Sequence, residues 1–187
     1  MKKMFRFPFS RTLRRYFETR TLKCLLSGWV FSNRSVDLLV NELCDMSFNY
    51  LPVDIRGKVV LDVGAGEGES ALFFLAHGAK KVVCVEANPL YFKNLIINSK
   101  RFSIVPVCKP FCVEMLNDFI FDFLKVDIEG YEECLLDVDL KVPAVIEVHG
   151  LQLRDKFRDR GFRVADSRVG FSSEFQDCCT TYAFWQC

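Results

Sequence analysis

Short apolar runs alternate with helix-like segments from about residue 57 to the end of the sequence. The runs are rich in Val, Ile, Leu and Phe and predict five buried strands, at residues 58–63, 81–85, 103–107, 121–126 and 142–148. Helical spacing or helix-ending signals follow at residues 70–77, 89–99, 131–136 and 152–160. Two final runs, at residues 162–165 and 181–185, predict an antiparallel hairpin. This alternation predicts an α/β fold with a doubly wound, mostly parallel sheet and helices on both faces.

The first 50 residues have a different pattern. Residues 1–23 hold eight Lys or Arg against one acid, Glu18, and aromatic and aliphatic residues are interleaved with these charges. Residues 35–46 have apolar positions at helical spacing behind Ser35, a candidate N-cap. We therefore predict an N-terminal helical extension over residues 1–50 and one α/β domain over residues 51–187. A helix packed on the domain is the preferred interpretation of the basic segment, and binding to RNA or to a membrane surface is the alternative.

Composition narrows the class of protein. Half of the 187 residues are apolar and the formal net charge is +1, which excludes a disordered chain and a globally basic nucleic-acid binder. The longest apolar stretches, such as residues 24–31, are far shorter than the roughly 18–20 residues that span a bilayer. We find no secretory signal pattern and therefore expect a cytoplasmic protein without a transmembrane segment.

Nine cysteines are many for this length. Their odd number and the absence of a Cys-x-x-Cys pair disfavour a disulfide framework and give little support to a structural zinc site. We interpret most of them as small apolar core residues in a reducing compartment.

A glycine-rich loop follows the first predicted strand. Residues 61–68 read LDVGAGEG, so a buried strand runs through Asp62 into Gly64, Ala65, Gly66 and Gly68 before a helix begins. Glycines let the backbone approach a ligand closely, and the helix start adds unpaired N–H groups. The next strand ends in Glu86 and Ala87, and Glu86 comes 22 residues after Gly64. A carboxylate at this spacing is suited to accept the ribose hydroxyls of an adenosine cofactor.

Two classes of adenosine cofactor fit such a loop. The dinucleotide fingerprint requires a glycine where this sequence has Glu69, and the carboxylates of Glu67 and Glu69 would repel a pyrophosphate. S-adenosylmethionine has no phosphate, and its ammonium group suits the carboxylate of Asp62. We therefore expect S-adenosylmethionine rather than a nicotinamide or flavin cofactor, with Asp62, Gly64, Ala65, Gly66, Gly68, Glu86 and Ala87 as the binding residues.

Four ordered blocks resemble the FkbM-type family of class I S-adenosylmethionine-dependent methyltransferases. They are the glycine loop with VEANP at residues 85–89, the helix segment NLIIN at 94–98, FDFLKVDIEGYE at 121–132 and VIEVHG at 145–150. The resemblance implies a Rossmann-like methyltransferase fold with a seven-stranded sheet and methyl transfer, commonly to a hydroxyl oxygen. The sequence departs from the fold's usual pattern at residues 107–110, VCKP, which offer no acid or amide for adenine, and in the short stretch between Asn98 and Phe121, where a third helix is reduced to a turn.

Candidate catalytic residues follow the fourth and fifth predicted strands. Strand alternation predicts that Asp127 and Glu129 share one side, as do Glu147 and His149. His149 is the expected general base because its ordinary pKa lies near neutrality, with Glu147 orienting it and the other two carboxylates holding the acceptor. Lys125, inside a predicted strand, is interpreted as a salt-bridge partner for a helix acid.

The acceptor stays open at this point. Methyl transfer to a hydroxyl of a small molecule or glycan is the preferred hypothesis, since residues 127–130 lack the Asn/Asp-Pro-Pro-aromatic motif usual for methylation of base or glutamine amines. An RNA-associated methyltransferase, or an RNA-binding protein that docks through residues 1–23, is the alternative. We expect no metal, although the same carboxylates could hold magnesium or manganese beside two acceptor oxygens.

Overall fold

The computed structural model describes residues 28–31, 50, 53–164 and 180–184. Within them a seven-stranded sheet has the order β3-β2-β1-β4-β5-β7-β6. The strands are β1 Val59–Val63, β2 Lys81–Glu86, β3 Ile104–Cys108, β4 Phe123–Val126, β5 Ala144–Val148, β6 Arg163–Val164 and β7 Thr180–Phe184. Strands β1 to β5 are parallel, and β7 runs antiparallel to both β5 and β6. The predicted doubly wound, mostly parallel sheet and its closing antiparallel pair are confirmed.

Among the described residues, three helices connect these strands: α1 Glu69–Ala76, α2 Pro89–Ser99 and α3 Leu151–Asp159. Asn88 caps α2 by accepting a hydrogen bond from the Leu90 amide, and Pro89 takes the first helical position, where its missing N–H costs nothing. The connection from β3 to β4 contains only the short 3-10 helix Val113–Asn117, as predicted. The helix predicted at 131–136 is wrong in type, because that segment forms a 3-10 helix over Glu132–Leu135.

The core has two layers, one on each face of the sheet. One layer joins α1 and α2 to the sheet through residues such as Phe73, Phe74 and Leu95. The other covers the opposite face with Met115, Leu135 and Phe157, from the two 3-10 helices and α3. Successive residues of β1 point into different layers, because side chains alternate along a strand.

Parts of the predicted N-terminal extension contact this core. Trp29 and Tyr50 are both buried in the layer that contains α1 and α2, and Phe31 packs against it. The basic segment 1–23 and the helix predicted at 35–46 lie outside the described residues. The proposed boundary between residues 50 and 51 therefore stays a prediction.

The described cysteines do not follow the expectation for core residues. Cys84 is buried in β2, but Cys108, Cys112 and Cys134 are exposed, and all four are free thiols. None of the helices among the described residues is both long enough and apolar enough to cross a membrane.

Candidate functional site

A cavity of about 1420 Å³ opens at the carboxyl ends of the parallel strands. Its walls include the loops after β1, β2, β3 and β4, and Glu147 near the end of β5. In open α/β sheets this edge is where ligands bind, because the loops diverge there on either side of the first strand. Most of the residues predicted for the cofactor and most of those predicted for catalysis line this one cavity.

Gly64 brings the ends of β1 and β4 into direct contact. Its φ is +74°, and a Cβ on it would lie 1.6 Å from the backbone oxygen of Asp127. No side chain fits in that space, so only glycine lets the two strands end side by side. Gly64, Ala65 and Gly66 then line the cavity, and their role in binding the cofactor stays a prediction.

Glu86 is held in place by backbone amides from two different loops. Its Oε2 accepts a hydrogen bond of 2.8 Å from the Gly66 amide, and its Oε1 accepts one of 2.7 Å from the Asn88 amide. Glu86 and Ala87 both line the cavity. Because backbone amides of two loops bond both carboxylate oxygens, the remaining lone pairs of Glu86 are oriented before any ligand arrives.

Asp62 and Gly68 do not line the cavity, in contrast to the sequence prediction. The Asp62 carboxylate is fully buried, accepts a hydrogen bond of 2.6 Å from the Ser70 hydroxyl and lies 3.1 Å from the Lys125 ammonium. A Cβ on Gly68 would lie within 3.1 Å of Leu95 and Trp29. Asp62 therefore acts through its neighbours, and Gly68 allows side chains to pack closely behind the loop.

Lys125 connects the two halves of the cavity. Its ammonium lies 3.1 Å from Asp62 and 3.8 Å from Asp127, and it donates a hydrogen bond of 2.8 Å to the Gly64 carbonyl oxygen. Burial opposes its charge, but the carboxylates outweigh burial and raise the pKa of Lys125 above its usual value. The expected salt bridge exists, but the partners are acids at the ends of β1 and β4, not a helix acid.

Three carboxylates line the other end of the cavity: Asp127, Glu129 and Glu147. Because β4 ends at Val126, strand alternation does not explain how Asp127 and Glu129 come together. A tight loop does so instead, in which Glu129 has the positive φ of 54° that non-glycine residues rarely adopt. The side chain of Glu129 is 86% exposed, whereas that of Asp127 is 27% exposed.

The Asp127 carboxyl is strongly perturbed. Burial raises its pKa to about 7; Lys125 opposes this shift and the charge of Glu147 adds to it. A carboxylate that gains and loses its proton near neutral pH is suited to act as a general base. This result corrects the expectation that His149 is the group with the best-matched pKa.

His149 lies behind the carboxylates and does not line the cavity. Its Nδ1 is 3.0 Å from Glu132, while its Nε2 is 3.4 Å from Glu129 and 3.9 Å from Asp127. The hydrogen bond to Glu132 raises the pKa of His149 to about 9, so the ring is cationic at neutral pH and cannot accept a proton there. The carboxylate that orients it is Glu132, which the sequence analysis did not single out, and not Glu147 as expected.

Glu132 itself is fully buried and organises the loop that carries Glu129. Its carboxylate accepts hydrogen bonds of 3.1 Å from the Ile128 and Gly130 amides. Burial would raise the pKa of Glu132, but His149 and these amides lower it below its usual value. Glu132 is the last residue of the block FDFLKVDIEGYE at 121–132, but no pattern in the sequence indicates that it bonds the loop amides and His149.

Tyr50 is a second residue that the sequence analysis missed. It is buried, lines the cavity, stacks on Phe74 and donates a hydrogen bond to the Glu147 carboxylate. Burial and the charge of Glu147 raise the pKa of Tyr50 well above its usual value, so the hydroxyl keeps its proton. Glu147 is therefore held by a residue 97 positions away in the sequence, a distance no local pattern reveals.

In the part of the chain that the structure describes, one group of side chains could hold a metal ion. Ligand atoms of Asp127, Glu132 and His149 all lie within 4.8 Å of one another. The Glu132 oxygen in this group already accepts two backbone hydrogen bonds and contacts His149. A cation there would compete with bonds that fix the loop, so this geometry explains the cluster without an ion.

Searches with protein-family models and among curated proteins found no match to this chain. Solved structures with the same architecture do match. The proposed RNA methyltransferase PH1948 from Pyrococcus horikoshii has a TM-score of 0.54 at 21% identity, over 89% of this chain and 97% of that one. Fibrillarin from Aeropyrum pernix, crystallised with natively bound S-adenosylmethionine, has a TM-score of 0.54 at 15% identity, over 72% of this chain and 70% of that one.

A small-molecule enzyme matches equally well. Precorrin-6y C5,15-methyltransferase from Geobacter metallireducens has a TM-score of 0.54 at 17% identity, over 84% of this chain and 92% of that one. At these identities the likeness establishes the fold and not the reaction. The seven strands, their order and these matches together show that the chain has the fold of class I S-adenosylmethionine-dependent methyltransferases.

Proposed function

We propose that the protein is an S-adenosylmethionine-dependent O-methyltransferase of FkbM type that acts on a hydroxyl of a small molecule or glycan. The observation that carries this proposal is the cavity itself. A glycine loop with a fixed ribose-type acceptor, Glu86, lies at one end, and a carboxylate with a pKa of about 7, Asp127, lies at the other. The match to fibrillarin with its natively bound S-adenosylmethionine supports the choice of cofactor. The four sequence blocks support the FkbM assignment.

The cofactor half has the groups that an adenosine ligand needs. Glu86 would accept hydrogen bonds from the ribose hydroxyls, and the backbone of Gly64 to Gly66 would hold the methionine part. Lys109, Pro110 and Phe111 line the side near β3, where the Phe111 ring and backbone groups would hold the adenine. When bound, S-adenosylmethionine supplies an electrophilic methyl group on its sulfonium.

The acid–base step belongs to Asp127. Its carboxylate accepts the proton of the acceptor hydroxyl as the oxygen becomes a nucleophile, and a positioned base contributes about 10²–10⁴-fold. Lys125 and cationic His149 stabilise the ionised form of Asp127 from two sides. His149 takes no proton in this scheme; it positions Glu129 and Asp127.

Charge in the cavity favours a neutral or cationic acceptor. Six carboxylates line the cavity, against three lysines, of which Lys125 is already paired with Asp62. A polyanion such as RNA would be repelled at short range. Exposed Leu90 and Tyr131 add apolar surface on the cavity wall, which suits the ring of a small molecule or sugar.

Three exposed free thiols support a cytoplasmic location. Cys108, Cys112 and Cys134 are exposed and unbridged, a state that persists in a reducing compartment.

The test is methyl transfer itself. Protein and methyl-labelled S-adenosylmethionine are incubated with small-molecule, polysaccharide and RNA fractions of a cell extract, and the labelled product is identified by mass spectrometry. We expect the label on an oxygen of a small molecule or glycan, and we expect Asp127→Asn to lower the rate at least a hundredfold. Label in RNA that nuclease releases would support the alternative, and no cofactor binding at all would refute the proposal.

A further inference from the structure

Segment 28–31 is attached directly to the cofactor loop through one side chain of α2. The Asn98 amide, 2% exposed, donates a hydrogen bond of 3.0 Å to the Val30 carbonyl oxygen and another of 2.8 Å to the Glu67 carbonyl oxygen. Its Oδ1 accepts a bond of 2.9 Å from the Val30 amide. A single buried amide therefore joins a segment near the N-terminus to the loop that lines the cavity.

Trp29 supports the same loop from behind. It is buried, and its ring lies so close to Gly68 that a Cβ there would be 3.1 Å from Trp29 Cζ3 and 3.0 Å from Leu95 Cδ1. The ring also packs on Phe102 and Phe31, with centroids 5.6 and 6.0 Å apart. The third glycine of the loop therefore leaves room for this ring rather than for the ligand.

Glu67 is the residue on which these contacts converge. Its carboxylate accepts a hydrogen bond of 2.7 Å from Asn94, its amide donates one of 2.9 Å to Glu69, and its carbonyl accepts the bond from Asn98. Asn94 and Asn98 lie one helical turn apart and so face the loop together. Glu67 also lines the cavity, so a ligand there contacts the same loop that Asn98 holds.

We propose that Asn98 is a positioning residue of the cofactor site and that it couples docking of segment 28–31 to cofactor binding. This inference rests on the proposed function, because it takes the ligand of the loop to be S-adenosylmethionine. A ligand that fixes the loop favours the docked segment, and the docked segment favours the ligand by the same factor. The segment is then part of the cofactor site although it does not line the cavity.

The Val30 amide reports this coupling directly, because it donates to Asn98. Its hydrogen exchange is measured by NMR on the full chain, with and without S-adenosylhomocysteine as the probe, after calorimetry has shown that the probe binds. We expect the probe to slow Val30 exchange at least about fivefold, since the docked state becomes more populated. Unchanged exchange with a bound probe would overturn the coupling alone. No binding to the unmodified protein would overturn the proposed function and this inference with it.

Asn98→Asp separates positioning from simple support of the fold. The variant keeps the acceptor for Val30 and loses both donated bonds, and we expect about tenfold weaker binding of the probe with little change in kcat. Ser99→Ala, at the half-buried neighbouring position of α2, is the matched control with unchanged affinity, because the Ser99 hydroxyl donates to the Ile96 carbonyl oxygen within the same helix. A residue with only a structural role would lower the melting temperature equally with and without the probe, and that result would overturn the assignment. If Asn98→Asp does not fold, the exchange of Val30 in the unmodified protein still decides the coupling.

Discussion

Lys125 shows how one buried side chain stabilises both the sheet and the site. A buried ammonium is unfavourable unless carboxylates compensate it, and Asp62 lies 3.1 Å away with no exposure to solvent. The same ammonium bonds the Gly64 carbonyl oxygen and approaches Asp127. Lys125 therefore links the acid of β1, the glycine loop and the proposed base.

Replacing Lys125 with Met should be strongly destabilising. The change removes the charge and leaves Asp62 buried without its partner, for which we expect a loss of about 3–5 kcal/mol in the free energy of unfolding. Urea denaturation measures it. Lys141→Met is the control, since Lys141 and its partner Asp139 are exposed and their pair contributes about 0–1 kcal/mol. Equal losses in the two variants would contradict the compensating role of Lys125.

The acid limb of the pH–rate profile should depend on Glu147. If Asp127 is the base, kcat/KM rises with pH up to about 7 and is then constant, because the carboxyl must lose its proton to act. The negative charge of Glu147 contributes to the raised pKa of Asp127, so Glu147→Gln should move this limb to lower pH by about half a unit to one unit. Glu133→Gln, a change at an exposed surface pair, should leave the limb in place.

The limb also distinguishes Asp127 from His149 as the base. A base with the pKa of His149, about 9, would place the limb two units higher. His149→Ala would then abolish turnover while Asp127→Asn retained it, and that outcome would refute the assignment of Asp127.

At the scale of elements, the glycine loop contains one position that the packing of the strands requires and another that faces a movable side chain. Gly64 meets backbone atoms of β4, whereas the nearest atoms to a Cβ on Gly66 are the carboxylate oxygens of Glu69, at 3.0 and 3.2 Å. The flexible side chain of Glu69 can move away from an added Cβ, whereas the backbone at the end of β4 cannot. Substitutions two residues apart should therefore affect different properties.

We expect Gly64→Ala to disrupt the fold and Gly66→Ala to disrupt binding. The first change forces β1 and β4 apart and strains a φ of +74°, which should cost more than about 3 kcal/mol. The second should cost about 1 kcal/mol in the free energy of unfolding but weaken the binding of S-adenosylhomocysteine at least tenfold, because the added methyl lies in the loop that lines the cavity. Urea denaturation and calorimetry measure the two effects. A folded Gly64→Ala with normal stability would contradict the close approach of the strands.

The elements could be predicted because their signals are local. Each parallel strand is a short, mostly apolar run, Asn88 and Pro89 mark the start of α2, and Glu86 follows Gly64 at the spacing typical of an adenosine site. The partners of the site residues could not be predicted in this way. Tyr50 reaches Glu147, and Lys125 reaches Asp62, only after the sheet order brings distant segments together. The ordinary pKa of histidine favours His149 as the base, but it carries no information about the buried Glu132 beside this residue.

At the scale of the whole molecule, charge is segregated along the sequence. The segment 1–23 contains eight of the 25 basic residues and one of the 24 acidic residues, so residues 24–187 carry a net charge of −6. Part of this excess of negative charge lies in the cavity, which six carboxylates line. Carboxylates that crowd around a cavity disfavour one another's ionisation. The folded protein should therefore hold protons at neutral pH that the unfolded chain has released.

Stability should fall as pH rises from about 5 to 9. The folded protein raises the pKa of Asp127 from 3.8 to about 7 and that of His149 from 6.5 to about 9, so both groups bind protons more tightly in the native state. A group whose pKa is raised by folding stabilises the native state at pH values below its pKa in the unfolded chain. It loses that contribution as the pH rises through its pKa in the folded protein. The Asp127 contribution therefore disappears between about pH 4 and 7, and the His149 contribution between about 6.5 and 9. Each amounts to at most a few kcal/mol, since both side chains retain about a quarter of their exposure.

Urea denaturation at pH 5, 7 and 9 measures this dependence. In Asp127→Asn the decline below pH 7 should vanish, and in His149→Gln the decline above pH 7 should vanish, because each variant removes one titrating group. The exposed pair of Asp54 and Arg56 titrates far outside this window, with the Asp54 pKa at about 2 owing to its hydrogen bonds with Arg56, so Asp54→Asn should leave the slope unchanged. A free energy of unfolding that stays flat or increases from pH 5 to 9 would mean that neither group holds its proton as the cavity geometry requires.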